Sequence, residues 1–350
     1  MRQFIKNNIA LFIEHLGLNK FFRNRIRRKI LILTYHGVLP SKLIDNHRDF
    51  ILYNNIVSQD SFRKQMDYLN TYFKPVSLSK LENINELEKS EPEKPFVIIT
   101  FDDGFENTYR YALPILCDYG IVGHFFIPTC FIGSRKLLWS EEINYRLLKT
   151  GLKDISLAIG GTVYTARLDS LKNRVDYSVM IRNILKSLHS QDIDATLKLV
   201  QDLTCDVDIE QIPSTRYKFL SWEQIQELVE MGMIIGSHSS SHYLLSGLSD
   251  EEAFDSILNS KKEIEGKTKS ECKYFSYPNG RLQDFGERDI KLLKKLGFKF
   301  AVSQIPGFNS ISDLQNDGFR LKRLNITNLM SYHIFKAVVS GVWSKISSLH

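Results

Sequence analysis

No run of eighteen consecutive apolar residues occurs in this 350-residue chain, so no membrane-spanning helix is expected. Cysteine is scarce. The four present, Cys117, Cys130, Cys205 and Cys272, lie far apart with no C-x-x-C spacing. They are expected to be buried thiols of a reducing compartment, although four would also allow disulfides. Internal repeats and low-complexity tracts are absent too, which removes the repeat architectures.

An evenly basic surface is also missing. The net charge is +6, yet residues 1–30 hold eight bases against the single acid Glu14, a local charge of +7. Residues 31–350 therefore sum to −1, and a nucleic-acid-binding body is not indicated. An export signal is not expected either. The uncharged stretch "NNIALFI" is cut short by Glu14 and His15, and no small-residue cleavage site follows. In this arm Ile5, Ile9, Phe12, Ile13 and Leu16 share one helical face, followed by "RNRIRRK". Two readings stay open: an amphipathic helix on an anionic membrane surface, or a helix packed on the domain beside a solvated basic loop.

What the chain does have is the composition of a soluble globular protein, 43% hydrophobic and 25% charged. Its length suits one large α/β domain or two of ordinary size. Short apolar runs alternate with amphipathic stretches. "ILILTY" (30–35), "FVIITF" (96–101), "GHFFIPT" (123–129), "MIIGS" (233–237), "KYFSYP" (273–278) and "KFAVSQ" (299–304) read as strands. Helices are expected at 61–73, 107–120, 250–266 and 287–297. Strands alternating with helices imply βαβ units and a parallel sheet or barrel. Residues 135–218 break the rhythm, helix-leaning with a hairpin near "IGGTVY", and read as an insertion carried by that barrel. Ser221, three residues before Gln224, signals a capped helix start.

Four clusters fall at the C-terminal ends of expected strands, where α/β barrels place active sites. Asp102 and Asp103 adjoin in "TFDDGF"; such a pair is either an ordinary acidic turn or a cation ligand beside a base. His238 and His242 in "HSSSH" stand at i, i+4, which one helical turn would bring to one face for a divalent metal. "YFSYPNG" (274–280) reads as a tight turn whose backbone N–H can face a pocket. His36 closes the first strand, either as a packing residue or as a proton-transfer group. Trp139 and Trp222 offer apolar ring faces as candidate walls of a binding groove, although packing is the simpler role for Trp222. His124, at the far end of its strand, is expected to be structural.

"TFDDGF", "HSSSH" and the "SYPNG" turn, in this order, resemble the NodB-homology polysaccharide deacetylases of carbohydrate esterase family 4 across roughly residues 30–330. The resemblance implies an irregular (β/α)7 barrel with a helix-rich insertion at 135–218; the basic arm 1–29 and an expected C-terminal helix 331–350 lie outside it. It implies Asp102 as catalytic base and Asp103, His238 and His242 as ligands of zinc, with cobalt or nickel as substitutes. Many members carry an arginine and a tyrosine in the third motif, where this chain has Ser276 and Asn279. The oxyanion N–H then falls to Asn279, and Arg323 in "RLKRLNI" is the candidate to orient the base. No Leu-x-His motif is present, so His36 is the candidate proton donor. The implied reaction is metal-dependent removal of N-acetyl groups from an acetylated amino-sugar polysaccharide or its precursor. O-acetyl ester hydrolysis, deformylation of a lipid-linked sugar, and a catalytically silent carbohydrate-binding barrel are the alternatives. The expected setting is cytoplasmic, with peripheral contact at the inner face of the membrane through the arm.

Overall fold

A computed structural model of the chain describes residues 2–46, 55–89 and 92–343. Seven parallel strands close into a barrel: β1 (Ile30–Tyr35), β2 (Phe96–Phe101), β3 (Gly123–Ile127), β4 (Ile234–Ser237), β5 (Tyr274–Ser276), β6 (Phe300–Pro306) and β7 (Leu321–Asn325). Each pairs with its sequence neighbour, and β7 closes on β1 through Leu33 opposite Leu324. This is the (β/α)7 barrel that the strand rhythm and the resemblance implied. A short segment, Lys74–Pro75, adds to the edge of β2.

The strands are apolar on both sides because both sides are covered. Ile30, Ile32, Phe96, Ile98, Phe126, Tyr274, Phe300, Val302 and Leu321 form an apolar cluster inside the ring. The alternate residues, among them Leu31, Leu33, Val97, Ile99, Phe125 and Phe275, pack outward under the helices. That period of two is the pleat of a strand. The ring is tight: a Cβ on Gly236 would come within 2.5 Å of the Phe126 ring and 2.9 Å of the Tyr274 carbonyl.

Residues 135–218 build a unit between β3 and β4. Helices Trp139–Lys149, Leu171–Leu185 and Ser190–Leu203 pack on the antiparallel hairpin Asp154–Ile159/Thr162–Arg167, with the turn at Gly160 and Gly161. One face of the hairpin, Ile155, Leu157 and Ile159, joins Trp139, Ile143, Tyr177 and Ile181 in a separate apolar core. Trp139 is therefore buried, 4% exposed, and walls no groove. Trp222 packs half-buried against the barrel core, with Lys267 over its ring.

Other expectations shift for local reasons. The helix expected over 107–120 starts as a wide turn, Thr108–Ala112, and tightens to α only at Leu113–Asp118. Pro114, which has no N–H to give, sits at that junction. Three of the four cysteines are exposed, and only Cys272 is buried; all four are free. The arm forms helices Arg2–His15 and Leu18–Arg25. Ala10 and Ile13 pack against Ile334, Ala337 and Val342 of the C-terminal segment, whose helix spans Tyr332–Val339. The rest of the C-terminal stretch, 344–350, lies outside the described residues.

Candidate active site

The inward face of each strand continues past the strand end, and there the apolar layers give way to polar ones. Thr100 and then Asp102 follow Ile98 on β2; His238 follows Gly236 on β4; Ser276 follows Tyr274 on β5; Arg323 follows Leu321 on β7. Backbone hydrogen bonds extend the ladder to hold these positions. The Asp102 N–H donates to the Tyr35 carbonyl, and the His238 N–H to that of Ile127, both at 3.0 Å.

Asp102 is 2% exposed and faces Arg323, which is 1% exposed. The guanidinium donates to both carboxylate oxygens, Nη1 to Oδ1 at 2.9 Å and Nη2 to Oδ2 at 2.7 Å. Ser276 Oγ donates to Oδ2 at 3.1 Å and accepts from Arg323 Nη2 at 2.9 Å. Arg323 is held in turn by the Ser303 carbonyl (2.7 Å) and Thr100 Oγ1 (3.2 Å). A planar fork gripping a carboxylate from both ends fixes its orientation. Burial alone pushes Asp102 up; Arg323 foremost, with His238 and His36, outweighs it and holds the carboxyl below its ordinary value. The residue stays an ionised acceptor.

Asp103 turns the other way because its backbone is left-handed (φ 72°), a conformation that aspartate tolerates. Its Oδ1 lies 3.5 Å from His238 Nε2 and 3.3 Å from His242 Nε2. The ligand atoms of the three residues all lie within 4.8 Å of one another. The two histidines do not meet on a helical turn. The segment is a loop in which Ser239 (φ 63°) and His242 (φ 59°) are left-handed, and the loop rather than a helix face brings the rings together. His238 Nδ1 lies 2.7 Å from the Ser276 carbonyl. That bond places the proton on Nδ1 and leaves Nε2 free to ligate. His242 Nδ1 is buried without a hydrogen-bond partner. Burial raises Asp103, but the two histidines override it and hold its carboxyl well below the ordinary range. Two imidazoles and one ionised carboxylate fit a divalent cation with open positions.

His36 lies at the same end of the barrel. Its Nδ1 is buried and unpartnered. Burial lowers its pKa, opposed by Asp103 and Asp102, so the resting imidazole is neutral. Asn279 is left-handed (φ 58°) at the turn after β5. Its side chain donates to Asp284 and accepts from Lys186 Nζ at 2.8 Å. Lys186 comes from the insertion. It borders a cavity of about 480 Å³ with Asn183, Ser246, Asn279, Arg281 and Asp284. Burial, aided by Arg281 and Arg182, brings its pKa down to about 8. No spacing rule finds such a residue, because it lies 93 positions from the asparagine it touches.

A seven-stranded parallel barrel with this group of side chains at its C-terminal mouth has the NodB-homology architecture. The chain belongs to the polysaccharide deacetylase family, hydrolases of acetylated sugars in carbohydrate esterase family 4: the family profile described as polysaccharide deacetylase matches residues 89–153 and 175–301. The gap in that match, 154–174, contains the hairpin of the insertion. The chain is similar to the putative polysaccharide deacetylase YxkH of Bacillus subtilis, 28% identical over 315 residues, covering 90% of this chain and 77% of the relative. Its fold resembles that of the Streptococcus pyogenes deacetylase PplD, solved in complex with acetate (TM-score 0.54, 18% identity, 89% of this chain and 97% of that one). It also resembles IcaB from Ammonifex degensii (TM-score 0.53, 17% identity, 91% and 97%). A third likeness is to a de-N-acetylase from Aggregatibacter actinomycetemcomitans (TM-score 0.52, 14% identity, 89% and 99%).

Proposed function

We propose that this protein is a metal-dependent deacetylase that removes N-acetyl groups from an acetylated amino-sugar glycan or its precursor, leaving a free amine and acetate. The observation that carries the reading is the division of labour between adjacent carboxylates. Asp102 is locked by Arg323, while Asp103 turns to His238 and His242. A divalent cation of the zinc, cobalt or nickel kind, held by Asp103, His238 and His242, supplies Lewis-acid charge to the acetyl carbonyl and to water.

Asp102 accepts the proton of the attacking water, its lone pairs aimed by Arg323 and Ser276. The Asn279 backbone N–H, presented by the left-handed turn, donates to the oxyanion. The leaving nitrogen needs a proton, because an amine anion is a very poor leaving group. His36 is the group assigned to deliver it. Since its resting ring is neutral, that proton reaches it from Asp102 within the turnover. The cavity beside Asn279, with Lys186 on its wall, receives the sugar chain.

The test is acetate release from a panel of acetylated amino-sugar oligomers by protein loaded with Zn²⁺, Co²⁺ or Ni²⁺, alongside its metal content. Asp103→Ala is expected to lose both metal and activity. Asp102→Asn is expected to keep the metal and lose turnover by about a hundredfold or more. His36→Gln should lower kcat at unchanged metal content and KM. Full activity and full metal content in Asp103→Ala would overturn the reading.

A further inference from the structure

Sixteen large apolar side chains are exposed among the described residues, and seven of them fall between residues 4 and 21. Single exposed apolar residues are ordinary; that many in one short stretch ask for a partner. Phe4 is 70% exposed, Phe12 63%, Leu16 53%, Phe21 51% and Ile5 49%.

The helix Arg2–His15 is not loose. Ala10 and Ile13 dock it on the helix Tyr332–Val339. Polar contacts then fix its rotation: Asn7 with the Ser331 hydroxyl, and Glu14 with both His333 and Lys336. At 3.6 residues per turn, Ile5, Ile9, Phe12 and Leu16 share an arc about 60° wide, separate from the docked one. The same contacts that hold the helix on the barrel therefore hold its apolar arc away from it.

Charge selects the occupant. Residues 1–30 carry +7, and their one acid, Glu14, is already engaged by His333 and Lys336. Arg25 lies over the exposed Phe21 ring at 4.6 Å, so basic and apolar groups are interleaved. A second copy pairing through this face would set one +7 arm against another. A convex apolar helix with a basic continuation matches an anionic lipid surface. It does not match a spanning segment, since no helix among the described residues is long and apolar enough to cross a membrane.

We infer that the helices Arg2–His15 and Leu18–Arg25 and the basic residues up to Lys29 dock the barrel on an anionic bilayer surface. Ile5, Ile9, Phe12 and Leu16 enter the acyl boundary, with the exposed Phe4 and Phe21 at their flanks, and the exposed basic side chains meet the headgroups. The contact reaches the active-site end of the barrel. Gln3 donates to the carbonyl of Leu329, in the loop that leaves β7, and Leu329 is itself 53% exposed. A barrel held this way opens beside the bilayer.

The experiment is sedimentation of the full chain with vesicles of phosphatidylcholine alone or phosphatidylcholine with 30% phosphatidylglycerol, at low and high salt. Binding is expected to be at least tenfold stronger to the anionic vesicles and to weaken with salt. Phe4→Ser with Phe12→Ser should cut it at least tenfold, and Arg25→Gln with Arg27→Gln several-fold, with unchanged melting and unchanged acetate release from a soluble substrate. No preference for anionic vesicles, or full binding by the Phe4→Ser, Phe12→Ser protein, overturns the inference. So does a concentration-dependent dimer, abolished by the same pair of substitutions, that forms without vesicle binding.

Discussion

The mouth of the barrel and the N-terminal arm invert the usual placement of side chains in opposite directions. In the barrel a guanidinium is 1% exposed; in the arm a phenylalanine is 70% exposed. The barrel can bury its charge because the partner is built into the same ring: Asp102 on β2's extension meets Arg323 on β7, with Ser276 and Thr100 closing the remaining bonds. A buried charge is costly only when unpaired. Among the described residues the arm has no such internal partner for its apolar arc. Each inversion needs its complement, and among the described residues only one of the two complements is found.

Removing the internal complement should have the largest effect. Arg323→Met leaves Asp102 buried and uncompensated, with an expected loss of about 3–5 kcal/mol of stability. On the proposed mechanism acetate release should fall with it, since Asp102 loses the fork that aims it. Arg323→Lys keeps the charge but not the two-point grip, and should retain more of the stability than of the activity. Denaturant melts of both variants at neutral pH, with rates on one acetylated oligomer, separate charge from geometry. If Arg323→Met melted like the parent, the balance of buried charge would not be what holds this end of the barrel.

A buried polar group without a countercharge offers a second contrast, at the opposite end of the ring. His124 is fully buried, its Nε2 accepting from the Leu78 N–H at 2.9 Å and its Nδ1 lying 3.0 Å from the Ile99 carbonyl. Burial, partly opposed by the Ile99 bond, brings its pKa down from 6.5 to about 4. Below about pH 6.5 the unfolded chain takes up a proton here that the folded one refuses. Stability from this group is therefore complete above pH 6.5 and drains away as the pH falls to about 4, by about 3 kcal/mol in all. His124→Gln, which can keep a donor and an acceptor but does not titrate, should flatten that part of the curve. Equal slopes for parent and variant between pH 6.5 and 4 would show that the acid response arises elsewhere.

The strand rhythm was legible in the sequence because a barrel buries both faces of its strands: "ILILTY" and "FVIITF" match β1 and β2 residue for residue. Asp102, Asp103, His238 and His242 could be found because strand ends in this fold face one mouth. The route by which the histidines meet is not legible in their spacing, since i, i+4 cannot tell a helical turn from a loop with two left-handed residues. The place of Trp139 is hidden in the sequence because an apolar side chain does not reveal whether its neighbours are a ligand or an inserted core. Lys186 was invisible, as its contact with Asn279 depends on how a whole insertion folds back. In the arm, periodicity found the apolar residues but not their division. Ile13 is 2% exposed and docked, while Phe12 beside it faces out.

That division gives the smallest predicted effect and the sharpest form of the comparison. Ile13 packs with Ile334, Ala337 and Val342. Ile13→Ala should cost about 2 kcal/mol, near the low end for a buried isoleucine because the site lies at the edge of the fold. It should also speed amide exchange through the helix Arg2–His15. Phe12→Ser deletes a larger apolar group one residue away, but that side chain is 63% exposed, so its effect on stability should stay within about 0.5 kcal/mol. Measured side by side in buffer and then with anionic vesicles, the two variants should exchange rank. Ile13→Ala is the costlier change for the free protein, and Phe12→Ser the costlier one for lipid binding. A Phe12→Ser protein destabilised as much as Ile13→Ala in buffer would mean that the exposed arc packs against this chain after all, and the contrast between the two regions would collapse.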